Sequence, residues 1–507
     1  MRIKNSLKNI YSGLVGQILL LITNFVTRTV FIKLLGSTYL GVSGLFSNIL
    51  SLLSLAELGV GQAIMFSLYK PIAENDTEKI HALMSIYKKV YRYVFLFVLV
   101  VGLALAPFLR YIINDFDKIP NITIIYVMYV FYSASSYLFA YKTTLLTATQ
   151  KNYIVNRTTY VFSLIMMTVQ VVVLFLFRNF IVYLLVQIVI TISQNIYTAH
   201  KATTLYPGLK SKKVIPLEKT EKQSLVKNVK ALMIYKIGTL ALNSTDNILI
   251  SSFVGIVKVG IYSNYTLICT SVTSFLSTIF GNLTASIGNL NAVETKEKKI
   301  EIFNVINLTT FWLYAVCSIC IFCAANPFIE VWIGTDYLLN YRELFIVVLN
   351  VYIGGMLFAP FNYRQTMGLF VHGKLRPIIS AIINIVASII LGKLYGLEGI
   401  LWGTVIARVT TNVWFDPYIV FKKGLEQSPL PYFIDYIVKL CLFLLTGAAA
   451  YYLSSLIPNT SIIYVVIKAA VAFIISNIVF LLIYGRKSEF KYLWNVGKLL
   501  LQRKMNV

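Results

Sequence analysis

Apolar runs long enough to cross a hydrocarbon layer recur from one end of this chain to the other. About 20 mostly apolar residues in helical form cross a core roughly 30 Å thick, and segments such as 90–113, 153–177 and 461–484 meet that length. Of 507 residues, 58% are hydrophobic and 13% charged, whereas an ordinary soluble domain is about half apolar and about a quarter charged. The chain therefore reads as an all-α polytopic membrane protein with no soluble domain of useful size. The opening MRIKNSLKNIYSGLVGQILLLITNF has a basic start but no small-residue cleavage site, and its apolar part outruns a signal-peptide core. It reads as the first span.

Fourteen spans are expected: 10–34, 39–68, 90–113, 121–147, 153–177, 180–200, 231–254, 259–290, 302–326, 343–363, 377–396, 399–420, 436–456 and 461–484. The stretch 39–68 is long enough that it should tilt or protrude. Charge tests the count. With the N-terminus inside, 33 of the 45 Lys and Arg residues fall in inside segments, 6 in outside connections and 6 within spans. That asymmetry is a strong positive-inside signal and puts both termini in the cytoplasm. The net charge of +25 then follows from topology and contact with anionic lipid. Nucleic-acid binding is excluded for want of a folded basic domain.

The organisation expected is an N-terminal six-helix lobe (1–204), a basic cytoplasmic linker (205–230), a second six-helix lobe (231–423), two extra spans (424–485) and an amphipathic basic tail (486–507) lying on the inner membrane surface. The five cysteines all lie in apolar segments. The run CSICIFC (Cys317, Cys320, Cys323) resembles a metal motif only in its letters, since no acidic or His partner is near in sequence.

A shift of 219 residues lays NSTDNILISSFVG (243–255) on NFVTRTVFIKLLG (24–36). Asn243 meets Asn24, Gly255 meets Gly36, Gly260 meets Gly41 and Ile268 meets Ile49, four identities in 29 positions. Each stretch opens a six-span block, so two similar halves are expected, as in many transporters whose site lies between repeats. The same four spans carry polar stripes at helical spacing. Span 1 has Gln17, Asn24 and Arg28; span 7 has Lys236, Thr239, Asn243 and Asp246 with Asn247. Span 2 has Ser47, Ser51 and Ser54 with Glu57 beside them; span 8 has Ser263, Thr266, Thr270, Ser274 and Ser277.

A charge at a helix centre costs about 2.5–3.5 kcal/mol, so Arg28, Glu57, Lys236 and Asp246 would together cost roughly 10–14 kcal/mol if they faced lipid. They are expected to face one another or a wet path. Structural readings stand beside this one: Asp246 as a partner of Arg28 or Lys236, Glu57 as an interfacial residue, Lys33 snorkelling to headgroups, and the span 8 stripe as a close-packing face. Arg364, near the inner face, is a positive-inside anchor or a substrate contact. Arg408 and Asp416, eight residues apart on nearly one face, form a second buried cluster or pair through other groups.

The phrases STDNILISSFVGIVKVGIYSNY, AELGVGQAI and PFIEVWIGTDY resemble the polysaccharide transporters of the multidrug/oligosaccharidyl-lipid/polysaccharide exporter superfamily, and among them the Wzx-type flippases. The pattern formed by Asp246, Asn247, Gly255, Gly260, Tyr262 and Ser263 is the most specific part. The resemblance implies two six-helix lobes around a central cavity and alternating access. It also implies a polyprenyl-diphosphate-linked oligosaccharide as cargo, for capsule, exopolysaccharide or other surface-glycan assembly at the bacterial plasma membrane, and in such systems a polysaccharide polymerase complex as a partner. By the same resemblance, the last two spans would form a groove for the lipid tail.

Arg offers a bidentate fork to phosphate oxygens and Lys a point charge. The substrate path is therefore expected to use Arg28, Asn24, Glu57, Lys236, Asn243, Asp246, Asn247, Arg364 and Arg408. No nucleotide-binding loop is present and no cofactor is expected. Drive would come from an H⁺ or Na⁺ gradient, with Asp246 and Glu57 as candidate carriers, from the membrane potential, or from cargo removal outside. The alternative is an ion-coupled multidrug or cation antiporter of the same superfamily. A membrane glycosyltransferase is disfavoured by the short outer loops, and a non-transporting scaffold by the buried charges.

Overall fold

The structure, a computed structural model, describes residues 2–57, 60–114, 116–149, 151–207, 245–281, 283–369, 372–373 and 375–505. The chain forms two compact units, Met1–Gly260 and Ile261–Val507. The domain boundaries expected from the repeat divide the chain by a different criterion and stand as a proposal.

The first unit is built on α1 (Arg2–Leu53), which is two helical stretches joined at Gly36 (φ 80°, ψ −179°). A side chain at that φ would be strained, and glycine adopts it freely. A 3₁₀ turn follows at Ser54–Glu57, then α2 (Val60–Glu74), α3 (Thr77–Leu105), the short α4 (Leu109–Ile112), α5 (Ile122–Ala148), α6 (Asn152–Phe177), α7 (Phe180–Leu205) and α8 (Asp246–Phe253). The last element to begin in this unit, α9 (Ile256–Gly281), continues into the second.

One continuous span over 39–68 is not what forms. The α-helix ends at Leu53 and tightens to 3₁₀ through Glu57, and the chain is α-helical again over Val60–Glu74. The caps are local in origin. Asp76 accepts from the Lys79 amide at the start of α3 (2.9 Å), and Asn179 accepts from the Ile181 amide at the start of α7 (2.8 Å).

Tyr87, Tyr91, Val94 and Val98 of α3 pack with Ala134, Tyr137 and Leu145 of α5 in one buried cluster. Phe31 of α1 meets Phe180 (5.5 Å) and Tyr183 (5.1 Å) of α7 edge-on. Residues Phe175, Leu176 and Phe177 at the end of α6 are exposed, as a lipid-facing surface requires.

The repeat has a physical counterpart here. A Cβ on Gly41 would sit 2.0 Å from the Ile256 carbonyl oxygen, and one on Gly260 would sit 2.3 Å from the Ser37 carbonyl oxygen. Under the 219-residue shift Gly41 corresponds to Gly260 and Ser37 to Ile256. The contact is therefore reciprocal: each repeat's glycine lies against the other's helix start, backbone to backbone. The aligned turn glycines Gly36 and Gly255 share the positive φ as well (80° and 122°).

The second unit contains the rest of α9, then α10 (Thr284–Val293), α11 (Lys296–Ile333), α12 (Tyr341–Met356), α13 (Phe358–Thr366), α14 (Arg376–Tyr395) and α15 (Leu397–Ala407). A π-helical turn at Arg408–Asn412 leads to α16 (Val413–Ile419), and another at Val420–Gly424 precedes α17 (Leu430–Ser455), α18 (Ile462–Tyr484) and α19 (Ser488–Met505). The axis of the unit is α11. At 38 residues it runs about 57 Å, and 61% of its apolar window is buried against 22% for α18. A helix apolar on all sides belongs inside, and Phe311 at its middle touches Phe480 (5.0 Å), Tyr484 (5.8 Å) and Tyr352 (6.4 Å). The basic tail forms α19, docked on α11 through Phe490 stacked on Trp312 (5.5 Å).

Ten helices among the described residues are long and apolar enough to cross a membrane, and no strand occurs among those residues. The chain is a multi-pass helical membrane protein.

Candidate functional site

The turn that ends α1 places Ser54 and Glu57 in the wall of a cavity of about 530 Å³ within the first unit. Tyr87 and Tyr91 of α3, Thr144 of α5 and Asn195 of α7 complete much of the lining. The Tyr91 hydroxyl donates to Glu57 Oε1. Tyr87 donates to the Tyr91 oxygen (3.1 Å) and lies 3.1 Å from the Thr144 hydroxyl. The 3₁₀ geometry matters, because it turns Glu57 onto the side of Ser54 and away from the continuing α-helical face. Among the described lining residues Glu57 is the one carboxylate, and no Lys, Arg or His is among them. A carboxylate held by a phenol and ringed by hydroxyls can take up and release a proton or a small monovalent cation without a competing ammonium. The sequence flagged Glu57 and Ser54; the tyrosines were hidden, since nothing in α3 marks them apart from other core aromatics.

Arg28 lies elsewhere in the same unit. It is half-buried on α1, within electrostatic reach of the Tyr183 hydroxyl of α7. Gln170 of α6 is buried, with its side chain at the Tyr183 hydroxyl. Asn24 is one turn earlier on the same helix and exposed. Lys33 is exposed. Asp246 opens α8 and is half-buried, and Asn247 follows with its carboxamide nitrogen beside Gly44 of α1. In the repeat alignment Asn247 is the counterpart of Arg28. Lys236 and Asn243 lie outside the described residues.

In the second unit, Arg364 of α13 is buried. Its Nε is 2.8 Å from Asp416 Oδ1, and its Nη1 donates to the His372 carbonyl (3.0 Å). Arg376 of α14 pairs with the same Asp416 oxygen. Two guanidinium groups thus share one carboxylate in a dry interior, and the trio ties α13, α14 and α16 together. Arg408 does not join Asp416. Spacing of eight would align them on an α-helix, but the π-helical turn at Arg408–Asn412 intervenes and rotates the register. Arg408 instead donates to the Asn350 carbonyl of α12.

The span 8 hydroxyls mostly bond their own helix: Thr266 donates to the Ser263 carbonyl (3.0 Å) and Thr270 to the Thr266 carbonyl (2.6 Å). Thr270, Ser274 and Ser277 are exposed. The cysteines are free, and no cluster of metal-binding side chains occurs among the described residues.

Among the described residues, two lysines within apolar helices carry more burial than any cation the sequence pointed to except Arg364. Lys439 of α17 is 3% exposed and Lys468 of α18 is 5% exposed. Lys439 Nζ lies 2.6 Å from Asp435 Oδ2, one helical turn earlier. Their signal is plain in YIVKLCLF and YVVIKAAVAF, where a lysine interrupts an apolar span.

No family model matches the chain, and no curated protein matches it. Solved structures do. The chain is similar to the lipid II flippase MurJ in an inward closed conformation, at TM-score 0.60 and 15% identity, covering 95% of this chain and 99% of that one. It is also similar to a multidrug resistance MATE family transporter of the MOP superfamily in an inward-facing conformation, at TM-score 0.61 and 11% identity over 78% of this chain and 93% of that one. A third is the Vibrio cholerae MATE transporter VcmN in the bent form, at TM-score 0.53 and 12% identity over 83% and 97%. At these identities the likeness shows the fold, one found in a flippase and in multidrug transporters.

Proposed function

We propose that this chain is a flippase that carries a polyprenyl-diphosphate-linked oligosaccharide from the cytoplasmic to the outer leaflet of a bacterial plasma membrane by alternating access. In this reading the protein has fourteen spans and cytoplasmic termini, works on a surface-glycan assembly line beside a polysaccharide polymerase, and uses its basic tail on the inner membrane surface. The carrying observation is the extent of the structural likeness. The alignment with the lipid II flippase leaves 5% of this chain unmatched, whereas α17 and α18, 26 and 23 residues long, make up nearly a tenth of it. That alignment must therefore take in part of the α17–α18 pair. The alignments with the multidrug transporters leave 17% and 22% of the chain unmatched. Arg28, half-buried in α1, supports an anionic cargo, since a guanidinium offers a bidentate fork to phosphate oxygens.

A second reading, an ion-coupled multidrug or cation antiporter, is favoured by one observation: a cavity with one carboxylate, no basic lining residue among those described and many hydroxyls around Glu57. The same cavity serves the flippase reading as a proton or Na⁺ site that couples transport to a gradient, with Asp246 as the other candidate. One experiment separates the two. Proteoliposomes holding the protein are given a fluorescent polyprenyl-diphosphate oligosaccharide and, separately, the cationic dye rhodamine 6G. The flippase reading requires the lipid to cross and the dye to stay. Dye transport with no lipid movement would replace it with the antiporter.

A further inference from the structure

The second unit contains a cavity of about 250 Å³ that none of the residues discussed above as substrate path lines. Its walls are the first turns of α11, the turn between the π-helical Val420–Gly424 and α17, and the end of α18. Three features define its chemistry.

The first is an acceptor with nothing to accept. Asn307 of α11 is 3% exposed, lines the cavity, and its side-chain oxygen has no hydrogen-bond partner. Its amide nitrogen makes a long 3.4 Å contact to Asp435 Oδ2. The second is a donor with capacity to spare. An ammonium carries three N–H groups, and among the described residues the hydrogen-bonding partner of Lys439 is Asp435 Oδ2, at 2.6 Å. The third is neutrality. Lys439 and Lys487 are matched in the lining by Asp435 and Glu489, and Tyr432 and Tyr484 add flat aromatic surface.

These features sort the candidates. A phosphate would meet the Asp435 and Glu489 carboxylates as well as the lysines. A metal ion would have to displace the Lys439 ammonium from Asp435. A zwitterion would have to break an ion pair already made, and an alkyl chain would leave the Asn307 oxygen buried and unsatisfied. A hydroxyl fits without breaking anything, because it accepts from the ammonium and donates to an amide or carboxylate oxygen at once. Several hydroxyls on one ring, with an apolar face for the tyrosines, fit best.

We propose that this cavity binds a single neutral sugar ring, with hydroxyls bridging Asn307 and the Lys439–Asp435 pair and the ring face against the tyrosine side chains. The sugar comes either from the glycan of the transported lipid or from a soluble saccharide. The first source rests on the flippase reading; the binding itself does not.

The test is saturation-transfer NMR on the full-length protein in nanodiscs, with free glucose, galactose and N-acetylglucosamine as probes. At least one of the three is expected to receive saturation. The signal should fall at least tenfold in Asn307→Ala and in Asp435→Asn, the latter keeping the side chain's size, and stay unchanged in Lys33→Ala. Inorganic phosphate should not compete. If Asp435→Asn fails to fold, Asn307→Leu removes the Asn307 acceptor while keeping a side chain of similar shape. No saturation of any probe, equal signals in the Asn307 variants and wild type, or displacement by phosphate would each overturn the proposal. Competition by a lipid-diphosphate-linked glycan ending in the bound sugar would assign the site to cargo, and lack of competition would assign it to a soluble saccharide. Binding that persists in a protein unable to flip lipid would leave the cavity standing and remove the transport reading.

Discussion

Asp416 is 1% exposed and holds two buried guanidinium groups. Removing it strands two charges in the interior, and breaking a buried pair costs about 3–5 kcal/mol. Asp416→Ala is therefore expected to lower the thermal midpoint by several degrees in detergent, measured by tryptophan fluorescence, while Arg408→Ala moves it less because that side chain is half-buried and bonded to a carbonyl. Equal shifts in the two variants would show that the Asp416 trio is not the tie between α13, α14 and α16. Glu57 makes a different prediction. Glu57→Gln keeps a hydrogen-bonding group for Tyr91 but cannot change charge. Transport by this variant should lose its stimulation by a proton or Na⁺ gradient at least tenfold and keep its gradient-independent rate. A variant as gradient-sensitive as wild type would make Glu57 structural. At this scale the sequence was partly legible. Depth within an apolar span singles out Arg28 and Glu57, but spacing sets Asp416 beside Arg408, whereas its partners in the fold are Arg364 and Arg376 on other helices. Lys439 and Lys468 escape attention when the opening helices of each repeat alone are searched for stripes.

Among the elements, the crossing of α1 and the start of α9 is tightly constrained. A methyl group on Gly41 or Gly260 would meet a carbonyl oxygen at 2.0 or 2.3 Å, so the backbones must separate. Overpacking of this kind costs about 1–3 kcal/mol. Gly41→Ala is expected to lower the melting temperature or broaden the size-exclusion peak, and Gly281→Ala, where nothing lies within 4 Å, to do neither. Identical behaviour of the two would mean the helices have room to slide. The glycine alignment was readable in the sequence; the reciprocal contact was not, because an alignment says which positions correspond and not that they touch.

A second element-level tie is Lys296 at the start of α11 with Glu426 in the turn before α17. The Lys296 ammonium beside it holds the Glu426 carboxyl below its ordinary value. A carboxyl depressed in the folded state stabilises above the unfolded value, and that contribution is lost as pH falls through the lowered one. Both groups are exposed, so the effect is small and screened. Glu426→Gln should melt slightly lower than wild type at pH 7 in low salt, and together with it in high salt or at a pH below the carboxylate range. A gap that survives at low pH would mean the pair is not what the substitution removed.

For the whole molecule, the long apolar runs settle the class without help from packing: ten described helices can cross a membrane. The tightening to 3₁₀ after Leu53 was not legible, since a hydropathy pattern does not register such a turn inside an apolar stretch. Which faces of the helices meet is set by tertiary contacts such as those around Phe311, and no periodicity in a uniformly apolar helix reveals them. Transport chemistry is the claim that reaches furthest from the residues, and Arg28 is where it touches them. The direct test is translocation of a fluorescent polyprenyl-diphosphate oligosaccharide across proteoliposomes by wild type, Arg28→Ala and the exposed control Lys33→Ala. The account predicts transport by wild type and the control, and at least a tenfold slower rate in folded Arg28→Ala. Absence of lipid movement by folded wild-type protein would contradict it.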